Sequence, residues 1–505
     1  MTLWLLGTHL DRTADYLDDH DRVLLIEATA FADRRPYHPH KLTLVFAAMR
    51  QFRDDLRKRG LTVDYRQAET FGEGLDAHFE EHPEDDLTMP RPAAHGAEDR
   101  LGELVAERGG SLSFVRNPTF FLTPEAFDEW AESRNTSDPD TYRLEGFYRW
   151  MRRERGVLMD GDSPEGGEWN YDEENRETPP DDWEPPEPPA FDPDETTEEV
   201  VSWVDAEFDT FVDGEEASPF RWPVTREQAL SALETFVDAR FVEFGPYQDA
   251  MVEGEWAMNH SLLSAAINLG LLRPAEVIDR AERAYEEGDA PINSVEGFVR
   301  QVLGWREFMR HVYRRSMPGM AEANQLGQVE DLPPAYWTGE TDMTCLSEAV
   351  GHVREHGYAH HIERLMVLAN FALIYGADPG ELNEWFHQGF VDAFHWVTTP
   401  NVVGMGSFAT DALSSKPYAS SGSYVNRMSD YCSSCPYAVS RDTGEGACPF
   451  NSLYWTFLRE NEELLRGTGR MGLMYSHVDD KDDEEWAALE ERAEQVREMA
   501  REGTL

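Results

Sequence analysis

"RVLLIEATAFADRRPYHPHKLTLVFAAMRQFRDDLRKRGLTVDYR", Arg22 to Arg66, reads as a short apolar run, a long helical pattern and a second short run. Strand, helix, strand at this spacing means parallel strands joined by a crossover helix. The alternation continues on both sides: "LWLLG" precedes it, and "DDLTMP", another helical stretch and "SLSFVRNP" follow. Residues 1–135 are therefore predicted to form a Rossmann-like parallel sheet wrapped by helices. The first run ends in "GTHL" without a G-x-G-x-x-G, which excludes the usual dinucleotide loop. A ligand of such a sheet sits beyond the carboxyl ends of its strands. Gly7, His9 and Leu10 follow the first strand, and Glu27 follows the second.

From Asp160 to Glu199 the chain turns acidic and proline-rich, as in "NRETPPDDWEPPEPPAFDPDETTEE", which predicts an extended connection. Residues 136–215 are read as this connector and residues 216–505 as an all-α domain. Leu230, Leu233, Phe236, Val237 and Phe241 recur at three- and four-residue steps, and the acidic tail "DDEEWAALEERAEQVREMAREG" has one apolar stripe.

The formal charge of -53 is extreme, and lysine occurs only at Lys41, Lys58, Lys416 and Lys481 among 45 Lys+Arg. In molar salt the Debye length is about 3 Å, so this charge suits a halophilic cytoplasm and does not exclude a polyanionic partner. With 40% hydrophobic residues and 14 Trp the chain is a folded protein. The N-terminal apolar run is too short for a signal peptide, and no run approaches the ~20 residues of a membrane span. A cytoplasmic protein is expected.

Cys432-x2-Cys435, then x12 and Cys448-Pro, place three thiols in one loop, and Cys345 supplies a distant fourth. In a reduced compartment this is a metal site. Spacing leaves a four-thiolate zinc and an iron-sulfur cluster both open, although the Pro after the last Cys leans towards the cluster.

Three stretches carry a resemblance. "FGPYQDAMVEGEWAMNHSLLSAAINLGLL" (Phe244 to Leu272) resembles the flavin-phosphate segment of the photolyase and cryptochrome superfamily, "EGFVRQVLGWREFMRHVY" (Glu296 to Tyr313) its "WREFYRH" helix, and "YAHHIERLMVLANF" (Tyr358 to Phe371) its "HNRxRM" helix. Their order, together with the four cysteines, is similar to the iron-sulfur bacterial cryptochromes and prokaryotic (6-4) photolyases. That resemblance implies light-driven repair of pyrimidine lesions, most simply (6-4) photoproducts, in UV-damaged DNA by a monomer that does not enter membranes. It also implies FAD, a [4Fe-4S] cluster on Cys345, Cys432, Cys435 and Cys448, and a 6,7-dimethyl-8-ribityllumazine antenna near Gly7, His9, Leu10 and Glu27. The FAD would contact Tyr247, His260, Ser261, Leu262, Leu263, Ser264, Gln301, Trp305, Arg306, Arg364, Asp392, Asn401 and Met405, the last two from a loop. His360 and His361 stand together as proton donors, pointing about 100° apart if helical. Trp385 and Trp337 match the superfamily's electron relay, whereas Phe386 stands where the family can carry tyrosine. Arg300, Arg306, Arg310, Arg314, Arg315, Arg427 and Arg441 offer phosphate contacts or solvated charge. Two alternatives remain: a blue-light receptor of the same family without repair, and a primase-large-subunit-like iron-sulfur protein, which needs no α/β half.

Overall fold

The computed structural model describes residues 1–133, 143–180, 182–468 and 471–505, so the expected boundary between residues 135 and 136 lies outside the described residues. Five parallel strands, β1 (Thr2–Leu5), β2 (Arg22–Ala28), β3 (Thr62–Ala68), β4 (Asp86–Pro90) and β5 (Ser111–Val115), lie in the order β3-β2-β1-β4-β5. Leu3 pairs with both Val23 and Thr88, so strand order reverses at β1. Alternation sends Leu3, Leu5, Val23 and Leu25 to one face and Trp4, Leu24 and Ile26 to the other. The first face packs in one core with α1 (Pro39–Lys58), through residues such as Leu44, Ala48 and Phe52. The second packs with α2 (Phe71–Glu81) and α3 (Ala97–Ala106) through Leu75, Phe79, Leu101 and Val105. Covered on both faces, the inner strands read as continuous apolar runs. Glu27, expected beyond β2, is its sixth residue, because pairing with β3 runs on to Ala28 and Ala68.

The stretch expected as an extended connector holds two helices. Leu144–Arg155 buries Phe147, Tyr148 and Met151, and Glu195–Glu207 packs Val200 and Val204, one turn apart, against α1. The proline-rich run between Arg176 and Asp194 forms neither helix nor strand where described.

The helices beyond divide between two cores. One continues from the sheet through residues such as Val295, Leu303 and Val312, and the other gathers residues from Leu332 to Leu505, including Cys345 and Cys448. The terminal helix Asp483–Glu502 buries Trp486, Leu489, Ala493, Val496 and Ala500 against helix Pro449–Glu460, as its stripe requires.

Several arginines offered for phosphate contact instead join the two halves. Arg306 donates to Thr119 O at 2.7 Å, Arg306 and Arg310 lie over the Phe120 ring, and Arg314 and Arg315 pair with Asp128. Burial pushes the Arg306 and Arg310 guanidinium groups down to about 10. Beside them the fully buried Glu307 accepts from Phe121 N at 3.1 Å and Leu122 N at 2.7 Å. These charges are consumed in holding the sheet to the helices.

Lys41 of α1 reaches across the same junction. Its ammonium donates to His387 O at 2.7 Å and lies over the Tyr37 and Phe394 rings. Burial pushes it down to about 7, opposed by Asp392 and reinforced by Arg35. In an unfolded chain the group titrates near 10.4, so between about pH 7 and 10 the unfolded state holds the extra proton and stability rises with pH. Lys41→Met is expected to flatten that rise. Melting temperatures of both proteins from pH 6.5 to 10 check it, and parallel curves would contradict the assignment.

Candidate functional site

Four helical stretches widen into π turns among the described residues: Phe236–Arg240 and, lining the site itself, Arg300–Arg306, Glu363–Ala369 and Pro400–Gly406. Such turns insert an extra residue, re-aim the side chains around it and recur at functional sites. The last three face one cavity of about 830 Å³, within the range of small-molecule sites. Gln301, Trp305 and Arg306 enter it from the first of these three, Arg364 from the second, and Asn401 and Met405 from the third. Asn401 and Met405, expected in a loop, are thus helical. The second and third stretches touch so closely that a Cβ on Gly406 would lie 2.9 Å from Ala369 Cβ.

The fourth wall is the segment from His260 to Ser264, all five residues of which line the cavity. Met258 and Leu262 there hold left-handed backbone, with φ of 43° and 57°, a strained conformation for residues with side chains. The buried Arg240 clamps this segment by donating to the carbonyls of Ala257, Met258 and His260. Sequence reading missed Arg240, which nothing but its place in an otherwise apolar helical face distinguishes.

Asp392 ties the walls together. Its carboxylate receives both Arg364 Nη atoms at 3.0 and 3.1 Å and the Ser264 hydroxyl at 2.7 Å, while Asn268 donates to its backbone oxygen at 3.1 Å. The Arg364 guanidinium lies over the Phe390 and Tyr358 rings.

The adjacent histidines part company. His360 precedes the helical turn and is fully buried, stacked on His260 with centroids 4.9 Å apart. His361 begins the helix with its side chain 42% exposed and its Nε2 3.2 Å from Asp249 Oδ1. Burial, and then the neighbouring ring in each case, drives His260 and His360 well below the usual range, so both are neutral. Asp249 was not among the expected residues, although it sits within the first motif.

Four polar atoms on the walls have no protein partner: Arg306 Nε and Nη2, His260 Nε2 and Gln248 Oε1. Asp172, Arg176, Lys416 and Arg427 also line the cavity. Lys416 carried one legible signal, being one of four lysines. Tyr247 is not brought to the wall: it closes helix Phe241–Tyr247 and packs edge-on against Trp183, at 5.3 Å.

Trp385 is fully buried, its Nε1 donating to Tyr336 O at 2.8 Å, and touches Phe386 and Phe390, which line the cavity. Phe211 of the connector contacts both Trp337 and Trp385, at 5.8 and 6.1 Å. Phenylalanines thus stand next to Trp385 on both sides.

The four cysteines share an apolar pocket with Met343, Val425, Tyr431, Tyr437 and Phe450. Cys345 lies in the first turn of helix Thr344–His356, and Cys448 caps helix Pro449–Glu460. Burial and mutual repulsion push Cys345 far up and Cys432 to about 11; burial pushes Cys448 to about 12. A Cβ on Gly422 would meet Cys448 Sγ at 2.8 Å, so only glycine leaves room there.

In the sheet domain Glu27 is saturated: Arg50 donates twice, at 2.7 and 3.1 Å, Gln67 once at 2.9 Å, and Tyr65 donates its hydroxyl. Gly7 abuts Val45 and Met49, and Leu10 N donates to Leu269 O at 2.9 Å. His9 accepts from Leu6 N at 3.3 Å and burial holds it down to about 3. No described helix is long and apolar enough to cross a membrane.

Residues 3–219 match the family described as deoxyribodipyrimidine photo-lyase-related protein. The chain is 40% identical over 484 residues to a (6-4) photolyase of Agrobacterium fabrum, covering 94% of each sequence. Among solved structures it resembles a class III photolyase of Agrobacterium tumefaciens, with TM-score 0.59, 15% identity and 99% and 96% of the chains covered. It also resembles an archaeal photolyase of Sulfolobus tokodaii with two FAD molecules, with TM-score 0.52, 14% identity and 99% of each chain covered. These two likenesses concern the fold.

Proposed function

Because the chain belongs to the photolyase/cryptochrome family, we propose that it is a DNA photolyase that repairs (6-4) lesions with FAD in the 830 Å³ cavity. The observation that carries this reading is the convergence on that cavity of three sequence motifs, with the Arg364–Asp392 pair and the His361–Asp249 pair both on its wall. The lining suits a flavin: rings and aliphatic chains such as Phe244, Phe298 and Ile267 alternate with polar atoms that lack protein partners. When bound and reduced, the flavin supplies the light-excited electron and takes it back. The protein's part is to hold and to protonate. His260, Ser261 and Ser264 would hold the cofactor's phosphates, and Arg364, Asp392 and Asn401 its ring. A lesion turned out of the duplex would enter beside Trp305 and His361, with Arg176, Lys416 and Arg427 as cations lining the same cavity.

His361 is the better donor of the histidine pair. It faces the cavity, and the Asp249 carboxylate, 3.2 Å from its Nε2, orients its ring. His360 reaches no cavity surface and acts behind it. Replacing His361 by Asn is expected to lower (6-4) repair by about 10²- to 10⁴-fold while flavin content stays unchanged. Light-dependent repair of separate (6-4) and cyclobutane oligonucleotides tests both the activity and this residue. A wild-type protein that binds flavin and repairs neither would turn the reading to a receptor.

The four cysteines fit a cluster better than one zinc. None of them belongs to a set of three donor atoms within 4.8 Å of one another among the described residues. One zinc with bonds of about 2.3 Å would draw four sulfurs to roughly 3.8 Å separations. Cys345, Cys432, Cys435 and Cys448 would hold the [4Fe-4S] group as its thiolate ligands. A lumazine antenna would lie near Gly7, His9, Leu10 and Glu27, with the Glu27 carboxylate already held by Arg50, Gln67 and Tyr65.

A further inference from the structure

Glu363 is fully buried, yet it lies among the titratable side chains of His352, Tyr431 and His360 behind the cavity. Its Oε1 is 2.9 Å from His352 Nδ1 and accepts the Tyr431 hydroxyl at 2.9 Å. Its Oε2 accepts the His360 backbone N–H at 3.2 Å and lies 3.5 Å from His360 Nε2. On the outer side, His352 Nε2 is 3.8 Å from a carboxylate oxygen of Glu348, whose side chain is 28% exposed. On the inner side, one ring nitrogen each of His260, His360 and His361 lies within 4.8 Å of the other two, a gap that a single water spans. Titratable groups thus line up in steps of 2.9 to 4.8 Å from solvent, through Glu348, His352, Glu363, His360 and His260, to His361, and the His360 ring nitrogens, which have no hydrogen-bond partner, are free to take part.

We infer that Glu363 is a positioning residue that delivers protons to His361, acting through His360 as the hub of a buried relay fed from Glu348. The inference deepens the photolyase reading, which supplies the purpose of the proton. With a flipped base in the cavity, His361 loses its open path to water, and a route through the back of the site keeps it supplied. Each group accepts one proton and passes one on. One enters at Glu348, one leaves from His361, and no electron moves. The neutral rings of His360 and His260 suit this, since an imidazole takes a proton on one nitrogen while releasing the other. The groups facing Glu363 are His352 from helix Thr344–His356, Tyr431 from helix Tyr431–Ser434, and His360 on its own strand of chain, with His260 and Arg364 around that ring. Tyr431 holds the carboxylate in place and is not asked to titrate.

The test compares the flavin-loaded wild type with Glu363→Gln, which keeps the shape, and Glu363→Asp, which keeps the proton. Solvent exchange of the His260 and His360 ring N–H groups, followed by nitrogen-edited NMR without DNA, is expected to slow at least about tenfold in the Gln variant and to recover in the Asp variant. Repair of a (6-4) oligonucleotide should slow similarly, with a larger solvent isotope effect and unchanged flavin content. Exchange and repair at wild-type rates in Glu363→Gln would overturn the relay. Should that variant fail to fold, His352→Asn takes its place: slowed exchange supports the relay, and exchange at the wild-type rate overturns it. Slowed exchange in a protein whose wild type repairs no (6-4) lesion would sink the repair reading and leave the relay standing.

Discussion

Replacing Cys345 by serine is expected to yield a protein without iron whose residues beyond about 330 are cut readily by protease. Cys345 belongs to helix Thr344–His356, whereas Cys432 and Cys435 lie in and at the end of the short helix Tyr431–Ser434 and Cys448 at the start of helix Pro449–Glu460. A shared metal would therefore join two segments about ninety residues apart in a core that also holds Leu346, Val350, Phe450 and Leu453. Metal binding to four thiolates is worth about 10–16 kcal/mol in small zinc domains, as large as the whole stability of an ordinary domain, ~5–15 kcal/mol. Without the metal the thiols, already held high by burial and by one another, return to weak neutral donors in an apolar pocket. The damage should travel inward, because Tyr431, next to Cys432, hydrogen-bonds Glu363 on the π-helical stretch that also carries Arg364. Flavin should be lost with the iron. Metal analysis, limited proteolysis and flavin release on the same sample check all three. A stable, protease-resistant Cys345→Ser protein would remove the cluster from its structural role.

Asp392→Asn should leave the protein folded and strip it of flavin, weakening affinity by about two orders of magnitude. The amide still accepts from Ser264, and Asn268 still reaches the unchanged backbone oxygen. What disappears is the charge opposite Arg364, which is then left beside the Phe390 and Tyr358 rings with no carboxylate. Breaking one partner of a buried pair costs about 3–5 kcal/mol. Arg364 keeps 26% of its side chain exposed, so the low end applies, and ~3 kcal/mol corresponds to roughly 150-fold in a dissociation constant. Flavin titration of the apoprotein measures this directly. An affinity equal to the wild type would mean that the pair is structural and does not face the cofactor.

Much of the site was legible because its chemistry sits in short motifs. Ser264, Gln301, Trp305, Arg306, Arg364, Asp392, Asn401 and Met405 were all expected at one ligand and all line one cavity. The misplacements share a cause, namely that a residue's neighbours in sequence do not reveal its neighbours in space. Tyr247 lies one residue from the wall residue Gln248 but turns to Trp183. Glu27 occupies a plausible ligand position yet is satisfied by side chains from α1 and β3. Arg310, offered for phosphate contact or solvated charge, is buried against Phe120.

The parallel sheet, the helical second half and the terminal helix were determined by apolar periodicity alone, since a strand or helix must bury whichever face repeats. The thiol loop was determined by spacing. The π turns that aim the three motifs inward were settled only in tertiary structure, because widening a turn costs hydrogen-bond geometry that packing against neighbouring helices must offset. So was the division of labour between two adjacent histidines. His360 and His361 are chemically identical in the chain, and only the packing of His260 and Glu363 on one, and of Asp249 and the open cavity on the other, makes the first a buried neutral ring and the second a partly exposed ring facing the cavity.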